Sequence, residues 1–449
     1  MRIPQHPPAL EPIGQKLANG DPQRFLELLA KRNIIDAKGR YLHWDEFRRK
    51  PTPQGTTAEE AWFATRSARA AAAQPVPLLD VRGRLFSFCE PPALRAMLRY
   101  VDLNAGGVLG TEQNSLSPAD GSRYFTRSLA EEPFTSSFIE GAATTRQRAK
   151  QLIFEQRKPR TRDELMVLNN YRGMLFVKEM LAQPLSVETI LETHRIITDG
   201  TLDDLEQAGR LRASDDIQVV DDSSNEILHQ PPPHGELLTR LQKVCDFANA
   251  SENPEHFVHP IVRAIILHFA VGYEHPFVDG NGRTARALFY WSALRAGYWL
   301  IEYVSISSVI AQAKTAYGQA YLKTETDAGD LTYFLLNQAS VLQTAIDRLL
   351  RYAERRKAEV ATFQRTVLAD EGSEFNRRQS ALLNDAAKGR VLSTTIKEHE
   401  TRHKVSRLTA RNDLEELVAL RLLKKRKSGR QNVYVPVPDL ASKLGGRKA

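Results

Sequence analysis

The stretch His275-Pro276-Phe277-Val278-Asp279-Gly280-Asn281-Gly282-Arg283-Thr284-Ala285-Arg286 decides how this chain is read. It gathers a titratable ring, a carboxylate, two glycines around an asparagine and two arginines. Before it, Phe257 to Val271 carries Ile261, Ile265, Ile266, Phe269 and Ala270 at helical spacing, and Ala285 to Leu294 resumes the same period. The pattern predicts a polar loop joining two buried helices. Gly280 and Gly282 lack a Cβ, so the chain can turn tightly and bring its N–H groups up to a ligand. A helix starting near Asn281 or Gly282 points unpaired N–H groups and a positive dipole end into that turn. An anion site is expected there, and a phosphate is the anion that suits it.

The remaining residues then take roles. Arg283 and Arg286, three apart on the first turn of the second helix, can both reach a polyphosphate held at that helix terminus. Asp279 alone would repel phosphate, which makes sense if it holds a divalent cation such as Mg²⁺ between the two. His275, with an ordinary pKa near ~6.5, can take a proton from an attacking hydroxyl. Phe277, between polar neighbours, is expected to turn inward and anchor the loop.

These twelve positions resemble the signature of the Fic family, His-x-Phe-x-(Asp/Glu)-Gly-Asn-Gly-(Arg/Lys)-x-x-Arg, with every specified position filled. The resemblance implies a mainly α fold: a Fic-type helical bundle core that binds ATP with Mg²⁺ and transfers AMP to a hydroxyl of a target protein. It makes His275 the general base and Asp279 the metal ligand. Gly280, Asn281 and Gly282 form the anion hole, Arg283 and Arg286 clamp phosphates, and Thr284 and Ala285 fill the variable positions beside the nucleotide.

Two other stretches join this reading. Ser136-Ser137-Phe138-Ile139-Glu140-Gly141 has the form (Ser/Thr)-x-x-x-Glu-(Gly/Asn), which is similar to the inhibitory motif of many Fic proteins. On a helix Ser136 and Glu140 share a face, and Glu140 could pair with Arg286 where the ATP γ-phosphate would lie. Ile217 to Val220 and Glu226 to His229, around the turn 221–225, predict a β-hairpin. In the family such a hairpin, ending before a proline pair as Pro231-Pro232 does here, is a flap over the active site. A target segment could add to its edge, or the chain could present a hydroxyl of its own. Backbone groups of Glu226, Ile227, Leu228 and His229 are then expected to border the nucleotide. Further on, Tyr317 and Tyr321 stand four apart on a predicted helix, where the resemblance suggests stacking on the base and core packing competes with it.

Around this centre the chain divides into a helical N-terminal domain (1–120), a Fic catalytic domain (121–350) with the inhibitory helix around 134–145, a helical linker (351–375) and a C-terminal winged helix (376–440). The first is a cap or docking appendage, with a helix over Gln23 to Lys31 and a helix start at Thr57-Ala58-Glu59-Glu60. Asn104 to Arg123, rich in Gly, Ser and Asn, is expected to be a linker. The last domain predicts helices over Arg378 to Lys388, Thr394 to Lys404 and Ser406 to Leu420, and a hairpin around Ser428-Gly429. Arg407, Arg411 and the Lys424 to Arg430 wing could meet DNA, although such domains also pack against proteins.

Composition agrees with this division. With 449 residues the chain exceeds one ordinary domain, and 42% hydrophobic content suits a globular protein. Residues 377–431 hold fifteen Lys or Arg against six Asp or Glu, an excess of nine, so of the +8 total the rest of the chain carries −1. No apolar run approaches the ~20 residues of a membrane span, and only Cys89 and Cys245 are present. A cytoplasmic protein with no membrane partner is expected. Two rival readings remain: a DNA-binding regulator that uses the core as a nucleotide-responsive module, and transfer or removal of another phosphate-containing group.

Overall fold

The computed structural model describes residues 1–30, 32–106, 126–221, 224–251, 256–368, 375–387, 391–428, 431–437 and 440. The expected linker from 107 to 123, the turn residues Asp222 and Ser223, and the wing tip at Gly429 and Arg430 lie outside the described residues. The chain forms two compact units, one of residues 1–109 with 130–346 and one of residues 110–129 with 347–449.

In chain order the helices of the first unit are α1 (Leu10–Gly20), α2 (Pro22–Ala30), α3 (Trp44–Phe47), α4 (Ala58–Ala72), α5 (Pro92–Ala105), α6 (Glu131–Ile139), α7 (Arg146–Phe154), α8 (Arg162–Glu179), α9 (Val187–Thr198), α10 (Leu237–Asn249), α11 (Pro260–Glu274), α12 (Asn281–Arg295), α13 (Ile306–Ile310), α14 (Lys314–Thr326) and α15 (Thr332–Leu368), which runs on into the second unit. Two antiparallel hairpins interrupt them: β1 (Gln74–Leu79) with β2 (Leu85–Phe88), and β3 (Val219–Val220) with β4 (Ile227–His229). The mainly α class therefore holds. Among the described residues no helix is long and apolar enough to cross a membrane.

The pair α11 and α12 forms the centre. Twelve of the fifteen residues of α11 are buried, from Ile261 to Glu274, and so are twelve of fifteen in α12. Helices buried nearly all round must be enclosed by others, and α8, α9, α10 and α6 enclose these. Their starts follow from local chemistry. Pro260 opens α11 where a missing N–H costs nothing; Ser186 caps α9 by accepting from Thr189 N–H at 3.2 Å; Thr57 and Glu60 form a capping box on α4.

Residues 1–105 belong to the same unit and join it through a buried polar network. Arg69 stacks 3.6 Å above the Tyr41 ring and donates to Tyr333 Oη at 2.8 Å, while Tyr41 Oη donates to Asp330 at 2.6 Å.

The second unit contains α16 (Arg377–Ala387), β5 (Thr394–Thr395), α17 (Ile396–His403), α18 (Arg407–Ala419), β6 (Leu423–Ser428) and β7 (Gln431–Pro436), with an antiparallel sheet in the order β5-β7-β6. The expected helix from Thr394 begins two residues later. Thr394 and Thr395 pair with Tyr434 and Val433, and Thr395 caps α17 through a capping box with Glu398. Leu382, Leu383, Leu414, Leu417, Leu422 and Tyr434 form the core, and buried Asp413 accepts from Arg378 at 2.7 and 3.0 Å.

Candidate active site

The loop between α11 and α12 is built by its own side chains. His275 ends α11 in the left-handed region, with φ 44° and ψ 56°, and Gly280 turns the chain again at φ 85°. Asn281 Oδ1 accepts from Phe277 N–H at 2.9 Å, and Asn281 Nδ2 donates to Phe277 O at 2.8 Å, so this amide closes the loop on itself. Phe277 is fully buried and its ring stacks on His194 of α9 with centroids 3.7 Å apart. His194 Nε2 donates to Asp279 O at 2.8 Å, and its Nδ1 accepts from Gly209 N–H at 3.0 Å. Burial holds this ring at a pKa of about 4, neutral and with one tautomer fixed by its partners.

The same loop sets the protonation of His275. Its Nδ1 lies 3.2 Å from Gly272 O, so Nδ1 carries the proton and Nε2 keeps a free lone pair. Burial, outweighing the Gly272 carbonyl, lowers its pKa to about 4. A neutral imidazole with an available Nε2 is a competent proton acceptor at neutral pH.

At the start of α12 the first helical bond runs from Thr284 N–H to Gly280 O at 3.0 Å, so the N–H groups of Asn281, Gly282 and Arg283 come before it and look out of the helix end. A carboxylate already sits there. A Cβ built on Gly282 would collide with Glu140 Oε1 and approach Arg286 Nη1 at 3.0 Å. Arg286 donates from Nη2 to Glu140 Oε1 at 2.7 Å, from Nε to Ser136 Oγ at 2.9 Å and from Nη2 to Ser136 O at 3.1 Å. Ser136 lies within α6; Glu140 is its C-cap, and Gly141 at φ 94° turns the chain away. Burial would raise the Glu140 carboxyl, but the Arg286 guanidinium outweighs it and holds the pKa below the usual value. The helix α6 is itself fastened by buried Glu132, which accepts from Ser305 Oγ, Ser307 N–H and Ser307 Oγ at 2.8, 3.0 and 2.6 Å.

Arg283 is as buried as Arg286 but points elsewhere, with Nη2 3.3 Å from Asp279 Oδ2 and Nη1 3.5 Å from Ile197 O. Thr284 and Ala285 are buried on the inner side of the helix. Asp279 is half exposed at the mouth and accepts from Gly280 N–H at 2.5 Å. Among the described residues no three His, Cys, Asp or Glu cluster as a metal cage. A single open carboxylate fits a Mg²⁺ ion only where phosphate oxygens and waters complete its shell.

The flap strands are short. Val220 and Ile227 are exposed, and His229 is buried with its Nε2 donating to Tyr273 O at 2.7 Å. Tyr317 and Tyr321 are half-buried on α14. Tyr321 stacks on Phe269 at 5.1 Å and covers Gly272, and Tyr317 Oη lies 2.9 Å from His268 Nε2. Two residues were given no role from the sequence. His194 supports the loop, and Arg212 donates to its carbonyls; a polar residue on a buried helix face was the only trace of the first, and the second left none.

Known proteins resemble this chain. Residues 184–293 match the model of the Fic/DOC family. The chain is 34% identical over 128 residues to protein adenylyltransferase Fic of Drosophila willistoni, covering 28% of this chain and 23% of that protein. It is 30% identical over 187 residues to protein adenylyltransferase Fic of Nematostella vectensis, covering 41% and 39%. A Fic family protein from Desulfovibrio desulfuricans G20 aligns in structure with a TM-score of 0.49 at 19% identity, over 77% of this chain and 96% of that one. The chain thus matches between about a quarter and two fifths of the length of these curated relatives. The signature is complete from His275 to Arg286 and lies inside the matched segment, so residues 184–293 are similar to a Fic/DOC-family domain.

Proposed function

We propose that this chain is a protein adenylyltransferase that transfers AMP from ATP to a Ser, Thr or Tyr hydroxyl of a target protein or of itself. The observation that carries the reading is the Glu140 carboxylate seated between Gly282 and Arg286, 2.7 Å from the guanidinium. It marks the helix terminus as a place built for a negative group, beside a neutral imidazole with a free Nε2. The curated relatives named as protein adenylyltransferases support the same reaction.

In this mechanism His275 Nε2 takes the proton of the target hydroxyl as its oxygen bonds to the α-phosphorus. The bond from that phosphorus to the bridging oxygen breaks, and pyrophosphate departs with its charge met by Arg286, Arg283 and the N–H groups of α12. Mg²⁺ held on Asp279 would supply further neutralisation of the phosphates. Backbone groups of Glu226 to His229 border the nucleotide from the flap, and Tyr317 and Tyr321 flank its base. The short, exposed flap strands offer an edge to an extended target segment. Glu140 restrains the reaction by holding Arg286 where the γ-phosphate would bind. With both cysteines free and buried, we place the protein in the cytoplasm.

The test is labelling with α- against γ-labelled ATP. The reading requires label from the α position only, lost on His275→Ala while ATP binding persists; label from the γ position, or undiminished turnover in His275→Ala, overturns it.

We propose second that the second unit, with three helices and a three-stranded antiparallel sheet, is a winged helix that meets DNA. Arg407, Leu408 and Arg411 are exposed on the first turns of α18, and Lys424 and Lys427 on β6, an arrangement suited to a duplex. Gel shift of the full chain against Arg407→Ala/Arg411→Ala decides it: no shift of duplex DNA by the full chain removes DNA as the partner, and an equal shift by the two removes α18 as the contact.

A further inference from the structure

We propose that Arg212 and His229, both from the segment that bears the flap, are positioning residues that fix the orientation of the base His275. The inference rests on the adenylyl-transfer reading only for its kinetic consequence.

A helix leaves its last carbonyls without partners, and at the end of α11 these are closed in an unusual way. His275 closes two by itself, with its N–H on Val271 O and its Nδ1 on Gly272 O, each at 3.2 Å. Tyr273 O is closed by His229 Nε2 at 2.7 Å. His275 O accepts from Arg212 Nε at 3.1 Å, and Pro276 O from Arg212 N–H at 2.9 Å. The rest of the guanidinium binds both ends of the flap segment: Nη1 donates to Ser214 O at 2.7 Å and to Asp215 Oδ1 at 2.8 Å, and Nη2 to Pro232 O.

His229, at the end of β4, is the matching clamp. Its Nδ1 lies 2.7 Å from Glu325 Oε2 and its Nε2 on a carbonyl. Both partners accept only, so both nitrogens donate and the ring is an imidazolium. Glu325 outweighs burial and raises its pKa. Two buried cations thus meet the negative end of the α11 dipole.

Why the base needs them follows from its backbone. A non-glycine residue at φ 44° stores roughly 1–3 kcal/mol and stays there only where its surroundings overdetermine it. The surroundings here are Arg212 and His229. A target strand that docks on the flap therefore acts on the pose of the base through the same two side chains.

The test is made in the Glu140→Gly background. Misplacing a reacting group by about 1 Å can cost about 100-fold, so Arg212→Gln is expected to lower single-turnover AMP transfer by about that factor while calorimetric ATP affinity changes less than about threefold. Arg212→Lys, which keeps the charge without the fork, recovers part of the rate, and His229→Gln, whose single amide nitrogen cannot span both Glu325 and Tyr273 O, loses less than Arg212→Gln. A rate that does not change, or an ATP affinity that falls as far as the rate, overturns the proposal.

Imidazole NMR of His275 supplies a readout free of the reaction. Burial, helped by the Arg212 charge, lowers the ring to about 4, so the midpoint should rise in Arg212→Gln through the lost charge as well as the pose, and in Arg212→Lys, which keeps the charge, through the pose alone. A fixed midpoint in Arg212→Lys overturns the positioning role. Should Glu140→Gly transfer no AMP at all, the proposed function fails by itself, and the titration still decides this inference.

Discussion

Replacing Glu140 by Gly removes one of the three hydrogen bonds that Arg286 donates and the only negative charge among them, leaving Ser136 Oγ at 2.9 Å and Ser136 O at 3.1 Å. Arg286 is 1% exposed and the Glu140 side chain 26%. Unpairing a fully buried ion costs about 3–5 kcal/mol and a charged hydrogen bond is worth about 1.5–3, so this half-open pair should be worth about 2–3 kcal/mol. If nucleotide must displace that contact before a productive pose forms, the same free energy appears as an activation of about 30- to 150-fold in Glu140→Gly. It should also appear as lost stability of the nucleotide-free protein, which Mg·ATP restores by giving Arg286 a phosphate in exchange. Intact mass after incubation with Mg·ATP and incorporation of α-label into a protein lysate measure the first effect; denaturant unfolding with and without nucleotide measures the second. A variant that loses about 2 kcal/mol yet labels no faster than the parent would refute the blocking role while leaving the ion pair's structural role intact.

Other outcomes follow from individual contacts. Gly280→Ala should cost roughly 1–3 kcal/mol in denaturant unfolding, because it forces a side chain into φ 85° and brings Cβ within 2.7 Å of Thr198 Cγ2. Gly282→Ala should weaken both ATP binding and the Glu140 contact, since its Cβ would enter the space between Glu140 and Arg286; calorimetry showing unchanged ATP affinity would contradict the cradle. Stability should fall on mild acidification. Burial depresses His43 and His268 to about 3 and His194 and His275 to about 4. Below their unfolded value near ~6.5 the unfolded chain therefore binds more protons than the folded one, a loss of up to about 1.4 kcal/mol per pH unit for each ring between pH ~6 and ~4. His229, whose pKa is raised, opposes this because its contribution is present at low pH and fades as pH rises through the folded value. Urea midpoints measured from pH 7 to 4 test the balance. For the transfer reaction, the acid limb of the pH–rate profile should lie near the His275 value of about 4 rather than at the ordinary 6.5.

What could be read from the sequence was whatever the chain encodes locally. The loop from His275 to Arg286 is contiguous, and its glycines, its asparagine and the apolar runs on both sides specify two buried helices and the turn between them. Ser186, Thr57 and Glu60 act on backbone groups three residues away, so their caps were legible as well. The hairpin β1–β2 was not: Pro75 and Pro77 lie within β1 and argue against a strand, and they are tolerated because β1 pairs with β2 alone. The helix α1 was missed for a related reason, since Pro12 and Gly14 break its pattern; Gly14 is there because the Phe63 ring packs where a Cβ would be, at 2.9 Å.

Contacts across long stretches of chain divide into two kinds. Glu140 and Arg286 are 146 residues apart, and nothing in periodicity or spacing joins them; the resemblance did, because both residues sit inside short recurring motifs. Arg212 and His229 have no such frame. Their signal is the demand of the α11 terminus for donors at Tyr273 O, His275 O and Pro276 O, and that demand becomes visible only when the left-handed turn at His275 is seen to leave those carbonyls facing the flap segment. A glycine at 275 would have met the turn without strain and without help, but glycine carries no imidazole. An imidazole at this position therefore has to occupy a conformation its residue type disfavours, and the support it requires must come from elsewhere in the fold, here from the segment between Arg212 and His229.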